Sequence, residues 1–326
     1  MGWSSAPPVF SAWPVYKQHY RGRPPVSSVP QLHLSVRLFN SRSYNYKTSV
    51  IMQRCKFDPG RHWISFPKGK TNKFEVSCSQ VEVEESLSDE ACELVNGTEL
   101  IIGEGDESIS AHLFQAVKNN NATGILLLSD IYGFEESSTK DFAYRVACNG
   151  YNVLVPDLFH GDPWTKDKPM SYIEQWLAKQ NRQRVAKDVF ASAKWMMNEF
   201  AAVGISKKLG IIGFCFGGGR VVDILSHDQD TCFGVGVSFY GTRIESSAAS
   251  NIKVPLLLIA GDSDPLCPID VLEDIEKRNK ESKMVVFRGR DHGFAHRPQT
   301  PEEDEDAEEA FKIMRDWLHD GLLVQN

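Results

Sequence analysis

The stretch Leu209-Gly210-Ile211-Ile212-Gly213-Phe214-Cys215-Phe216-Gly217-Gly218-Gly219-Arg220 constrains the fold of this chain more than any other. An unbroken apolar run suits a strand covered on both faces, and the glycines after it suit a tight strand-to-helix turn. Cys215 stands at the joint, with Gly213 and Gly217 two residues to either side. This is the G-x-S-x-G elbow with cysteine in place of serine. The glycines are needed because the nucleophile sits on a sharp, strained turn where neighbouring side chains would collide. The helix N-terminus behind it favours a thiolate through its unpaired N–H groups and dipole. Against this stands the ordinary reading of cysteine as a small core residue. A phosphate-cradling turn would need G-x-x-x-x-G-K-[ST] or G-x-G-x-x-G spacing, which is absent here.

Downstream order strengthens the nucleophile reading. Strand Pro255–Ala260 leads into Gly261-Asp262-Ser263-Asp264-Pro265, and strand Met284–Phe287 into Gly289-Arg290-Asp291-His292-Gly293-Phe294. An acid and then a base, each in a loop after a later strand, is the order that the elbow requires. His292 is the expected base; His160, His227 and His296 read as surface or pocket histidines. Spacing alone leaves Asp262 and Asp264 as equal candidates for the acid. Asp291 adjoins the histidine and would need an awkward backbone to face it.

The wider pattern agrees. Further strands are expected at Ala91–Val95, Glu99–Ile102, Ser110–Phe114, Gly124–Leu128, Asn152–Val155 and Val235–Tyr240, with helices near 137–149, 171–178, 181–202, 217–227, 268–280 and 302–319. Alternating strands and helices predict an α/β-hydrolase fold, a mostly parallel central sheet with helices on both faces. The acidic run after Pro301 suits the first turn of the last helix. No repeat or second domain is evident.

Charge separates the two ends of the chain. Residues 1–73 hold twelve Lys/Arg and one acid, Asp58; the remainder has 24 basic and 42 acidic residues, a net of -18 within an overall -7. A body this acidic argues against nucleic-acid or anionic-membrane partners. The basic, Ser- and Pro-rich beginning reads as an organelle transit peptide, chloroplast (stroma) before mitochondrion, with a basic tail on a cytoplasmic protein as the alternative. Processing is expected near Val76 to Ser79, and Met52 is an alternative start. This predicts an address over 1–78 and one catalytic domain over 79–326. Seven scattered cysteines with no CxxC pair argue against a disulfide framework or zinc site. Mean hydropathy is -0.32, and no apolar run approaches the ~18 residues of a membrane helix.

Residues 95–320 resemble the dienelactone hydrolase (carboxymethylenebutenolidase) family. The likeness is carried by Ser129-Asp130-Ile131-Tyr132-Gly133, Val155-Pro156-Asp157-Leu158-Phe159, Gly213-Phe214-Cys215-Phe216-Gly217-Gly218, Asp264-Pro265-Leu266-Cys267-Pro268 and His292-Gly293-Phe294-Ala295-His296-Arg297. The resemblance places a Cys/Asp/His triad on Cys215, Asp264 and His292. It gives Asp130 a role in controlling the protonation of the nucleophile, against the plainer reading as a cap for the following helix. It places the oxyanion hole on the backbone N–H groups of Ile131 and Phe216. Bacterial members hold the substrate carboxylate with an arginine four residues after the histidine. Here that position is His296, with Arg297 next, a stretch similar to animal-type and plant-type relatives. Arg182 and Arg184 are further candidate charges. Tyr132, Trp164, Trp176 and Phe159 are candidate pocket residues, although such aromatics more often belong to a core.

The expected chemistry is cleavage of a small ester or lactone through an acyl-thioester on Cys215, with no metal or organic cofactor. A rival of another class is a binding or sensing protein that holds a lactone-like ligand with little turnover. A second is a redox-responsive thiol protein using Cys215 with Cys267.

Overall fold

The computed structural model describes residues 95–324, other than 204 and 206, together with the pair Thr48–Ser49. The address expected over 1–78 lies outside the described residues except for that pair, and so does the expected strand start at Ala91. In chain order the strands are β1 (Thr48–Ser49), β2 (Val95–Ile102), β3 (Ile109–Ala116), β4 (Gly124–Leu128), β5 (Asn152–Pro156), β6 (Leu209–Phe214), β7 (Phe233–Phe239), β8 (Leu256–Gly261) and β9 (Ser282–Phe287). The helices are α1 (Ser137–Cys148), α2 (Ile173–Lys179), α3 (Arg182–Ala202), α4 (Phe216–His227), α5 (Ile269–Arg278) and α6 (Pro301–Leu322).

Hydrogen bonding joins the strands into one sheet in the order β1-β2-β3-β5-β4-β6-β7-β8-β9. From β5 onward every pair is parallel. β1, β2 and β3 pair antiparallel, as does β3 with β5. The mostly parallel sheet inferred from the sequence is therefore present, with an antiparallel margin that alternation of strand and helix did not foretell. Val95, the one described residue of the strand expected before Asn96-Gly97-Thr98, shares a single strand with the Glu99–Ile102 expected after it. β2 runs through the Asn-Gly pair because all eight of its residues find partners on β3, from Val95 opposite Ala116 to Ile102 opposite Ile109.

β4, β5, β6 and β8 are buried at every residue, which explains their lack of a polar face. Helices α1 and α6 pack on one side of the sheet, and α3 and α4 on the other. Phe142 of α1 joins the layers, with edge-on contacts to Phe214 of β6 at 4.7 Å and Phe311 of α6 at 5.2 Å. The last helix begins as its sequence requires: Thr300 accepts from the Glu303 N–H at 3.2 Å, and Pro301 opens the first turn. Among the described residues no helix is long and apolar enough to cross a membrane.

Parallel strands all point their C-terminal ends to one edge, so the loops after β4, β6, β7, β8 and β9 share a rim. That rim brings Asp130, Cys215, Tyr240, Asp264 and His292 together from distant parts of the chain.

Candidate active site

Cys215 is the residue between β6 and α4, and its backbone has φ 53° and ψ -115°. Few residues other than glycine adopt such a conformation without strain, and its occurrence at a strand–helix joint is the strained elbow expected from the sequence. The turn is locked on both sides. Its N–H donates to the Phe239 carbonyl at 3.0 Å, and its carbonyl accepts from Thr242 and Gly219, each at 3.0 Å. The flanking glycines are required by contact. A Cβ on Gly217 would lie 2.3 Å from the Leu128 carbonyl oxygen, and one on Gly213 would lie 2.4 Å from the Gly217 oxygen. Phe216 opens α4, so its N–H belongs to the first turn, whose donors have no acceptor within the helix.

The two candidate acids separate cleanly. Asp262 Oδ1 accepts from the Gly289 N–H at 2.6 Å and closes the loop between the ends of β8 and β9. Asp264 turns inward: Oδ1 accepts from the Leu266 N–H at 2.8 Å, while Oδ2 meets His292 Nδ1 at 2.6 Å. Its side chain is fully buried. A carboxylate at Nδ1 fixes the ring and leaves Nε2 for the nucleophile.

Nε2 of His292 is buried and makes no hydrogen bond of standard geometry among the described residues. Cys215 is nevertheless close enough to dominate its charge. Burial opposes protonation, but the charge of Cys215 and the hydrogen bond with Asp264 outweigh it and lift the His292 pKa to about 10. Cys215 and His292 are thus neighbours without a hydrogen bond of standard geometry among the described residues.

A second group lies beside the first. Asp130, fully buried after β4, accepts from the Tyr132 N–H at 2.9 Å through Oδ1. Its Oδ2 meets His296 Nε2 at 3.2 Å and the guanidinium of Arg297. Burial works against the Asp130 charge, but the His296 hydrogen bond and the Arg297 charge prevail and hold its pKa below the usual carboxylate range. The three donors named for the Asp130 carboxylate are Tyr132, His296 and Arg297, not Cys215.

His296, expected at the surface or in a pocket, is a buried residue beside Asp130. Its side chain has no exposed area because the ring lies flat on Phe214, with centroids 4.2 Å apart and planes 13° apart. Tyr240 OH meets its Nδ1 at 2.5 Å. Burial pushes the His296 pKa down and, more strongly, the Tyr240 pKa up. Both are therefore neutral: Tyr240 donates to Nδ1, and Nε2–H donates to Asp130. Arg297, one residue on, stacks over the Tyr132 ring at 4.6 Å, and its buried Nη1 has no hydrogen-bond partner among the described residues.

The aromatic candidates divide. Tyr132 is half-buried beside Arg297, whereas Phe159, Trp164 and Trp176 are buried and pack on one another. Trp164 instead contributes its backbone N–H, which donates to the Ile131 carbonyl at 2.8 Å and steadies that loop. Arg184 pairs with Asp188, which also meets His160 at 2.9 Å, and Arg182 pairs with Asp223. Cys267 is buried, and burial together with Asp264 and Cys215 pushes its thiol up to about 12, keeping it neutral and unreactive. A cavity of about 160 Å³ lies between α1, α6 and the 295–298 turn. His296 lines it but Cys215, Asp264 and His292 do not, so the cavity is separate from the triad. Among the described residues no group of three His, Cys, Asp or Glu is placed to hold a metal ion.

Tyr240 was not singled out from the sequence. Its only local signal is a polar tip at the end of an apolar strand, immediately before Gly241.

Comparison with known proteins completes the picture. The sequence profile of the Dienelactone hydrolase family matches residues 109–322. A carboxymethylenebutenolidase homolog of Mus musculus is 31% identical over 204 residues, covering 60% of this chain and 81% of that protein. The Xenopus tropicalis homolog of the same description is 30% identical over 207 residues, covering 60% and 80%. In fold, the chain is similar to the dienelactone hydrolase of Anabaena variabilis, with a TM-score of 0.55 at 19% identity over 70% of this chain and 99% of that one. Because the profile match takes in every helix and strand from β3 onward, the chain belongs to the dienelactone hydrolase family and is a hydrolase of ester or lactone bonds.

Proposed function

We propose that this hydrolase cleaves small carboxylic esters or lactones by covalent catalysis on Cys215, with His292 and Asp264 completing the triad. The observation that carries the reading is the meeting, at one sheet edge, of a strained Cys215 turn with a His292 raised to a pKa of about 10. His292, oriented by Asp264, is placed to take the Cys215 proton and so form the imidazolium–thiolate pair that attacks.

In the first half-reaction Cys215 Sγ attacks the carbonyl carbon, and the carbonyl electrons move to oxygen. The N–H groups of Ile131 and Phe216 hold that oxyanion. Collapse breaks the bond to the leaving oxygen, which takes the proton from His292 Nε2. The acyl group is then a thioester on Cys215. In the second half-reaction neutral His292 takes a proton from water as the water attacks the thioester, and departure of the thiolate releases the carboxylic acid and restores the ion pair. Asp264 keeps the His292 ring oriented throughout. Thiolate leaves readily from the tetrahedral intermediate, so activated esters, enol esters and lactones suit this site better than amides.

Substrate charge is the second element of the reading. The buried Nη1 of Arg297 lacks a hydrogen-bond partner among the described residues, and a substrate carboxylate admitted beside Cys215 is a group that would satisfy it. Arg297 would thus do from the next position what an arginine at 296 does in bacterial members. We propose further that residues 1–78 are a chloroplast address, on the strength of their composition.

The test is turnover of p-nitrophenyl acetate, dienelactone-type lactones and matched amides by the parent and by Cys215→Ala. Ester or lactone turnover that disappears in Cys215→Ala supports the reading. Unchanged turnover in that variant, or cleavage of amides alone, refutes it. A ligand-induced thermal shift without product would favour the binding-protein alternative.

A further inference from the structure

We infer that His296 is a positioning residue, which passes the constraint of the Tyr240 hydroxyl through its ring to Asp130 and so fixes Arg297 against the nucleophile. The inference rests on the ester-hydrolase reading above and assigns work to the position where the resemblance would put a substrate-binding arginine.

Four observations carry it. The ring is clamped rather than merely buried: it stacks on Phe214 at 4.2 Å and is held at Nδ1 by Tyr240 at 2.5 Å. The clamp specifies a tautomer, because a buried Tyr240 O–H has to donate and a charged Asp130 has to accept, leaving Nε2–H aimed at Asp130 Oδ2 at 3.2 Å. Asp130 is thereby held by three donors from two segments: the Tyr132 N–H on its own loop, and His296 Nε2–H and the Arg297 guanidinium from the turn after β9. Finally, Arg297 is held from two sides, by Asp130 and by the face of Tyr132 at 4.6 Å, which leaves its Nη1 as the buried donor without a partner.

A histidine suits this position better than an arginine would. An arginine offers donors alone, so it could not accept from Tyr240, and a second cation beside Arg297 would compete for the same carboxylate. A neutral imidazole instead couples a donor to an acceptor and adds no charge. The chain Tyr240–His296–Asp130–Arg297 therefore separates two tasks: His296 sets geometry, and Arg297 supplies charge. His296 touches no reacting atom, and its effect on substrate is carried entirely by Arg297.

The experiment uses the full chain and two p-nitrophenyl esters, acetate and hemisuccinate, which differ in a free carboxylate. The readout is the ratio of kcat/KM for the anionic over the neutral ester. His296→Leu should lower that ratio roughly tenfold, chiefly through KM. His296→Gln, which keeps an N–H for Asp130, should recover most of the ratio. In an Arg297→Met background His296→Leu should change the ratio no further, because the two act in series. If His296→Leu does not fold, Tyr240→Phe removes only the hydroxyl and should lower the ratio in the same direction. An unaltered ratio, or an effect that persists in Arg297→Met, overturns the inference while leaving Cys215-dependent turnover intact. Absence of Cys215-dependent turnover of either ester in the parent overturns the hydrolase reading and this inference with it.

Discussion

His292 illustrates how neighbours decide a charge. Burial alone would favour neutral imidazole, yet Cys215 and Asp264 outweigh it and raise the pKa from 6.5 to about 10. The sign follows directly: the imidazolium persists through neutral pH and is lost as pH rises through about 10. Because that proton goes to the leaving oxygen, kcat/KM for an alkyl ester should fall on the alkaline side near pH 10. A p-nitrophenyl ester leaves without a proton and should show no such limb. A descending limb near 6.5 for the alkyl ester would contradict this. Asp264→Asn removes one cause of the raised value, so the limb should move to lower pH and kcat/KM should fall by roughly 10²–10⁴. Both outcomes are read from pH–rate profiles. The same turn carries a steric prediction. A Cβ at Gly217 meets backbone oxygens of Leu128 at 2.3 Å and Ser129 at 2.5 Å, and backbone cannot step aside as a flexible side chain can. Gly217→Ala should therefore cost about 3 kcal/mol or more, at the upper end of overpacking effects, measured by chemical denaturation.

Elements differ in how plainly they announce themselves. β4 and β6 were legible to the residue, because a short, fully buried apolar run bounded by turns has few other uses. The margins were less so. β2 alternates between buried and exposed positions and contains Asn96-Gly97, which locally reads as a turn until β3 pairs with it. β9 begins at Ser282-Lys283, before its apolar part, because strand pairing with β8 rather than hydrophobicity sets its start. Cys215 and His292 were legible as candidates because they sit at strand ends in a fixed chain order, whereas that order left Asp262 and Asp264 open and only the family resemblance favoured Asp264. The Asp130–His296 contact was not, since the two residues are 166 positions apart and leave no local pattern. The helix caps make a prediction at this scale. Asn181 Oδ1 accepts from Gln183 N at 2.8 Å and Arg184 N at 3.1 Å, so Asn181→Ala should cost about 1 kcal/mol. A loss below a few tenths, by thermal or urea unfolding, would mean that solvent replaces the cap.

At the scale of the whole molecule, the sheet gathers five loops of a 326-residue chain onto one edge. The helices cover the faces and leave that rim as the place for chemistry. The strands from Val95 onward supply this rim, so a chain starting at residue 79 should retain kcat/KM within roughly twofold. A larger loss would assign the first 78 residues a part in the fold. On this rim the Cys215 sulfur should become covalently acylated during turnover. Rapid-quench intact-mass spectrometry of the parent during turnover of p-nitrophenyl acetate, followed by peptide mapping, tests it most directly. One acetyl adduct, confined to the peptide containing Cys215 and absent in Cys215→Ala, is the predicted result. Steady turnover with no adduct on Cys215, or with the same rate in Cys215→Ala, would contradict it.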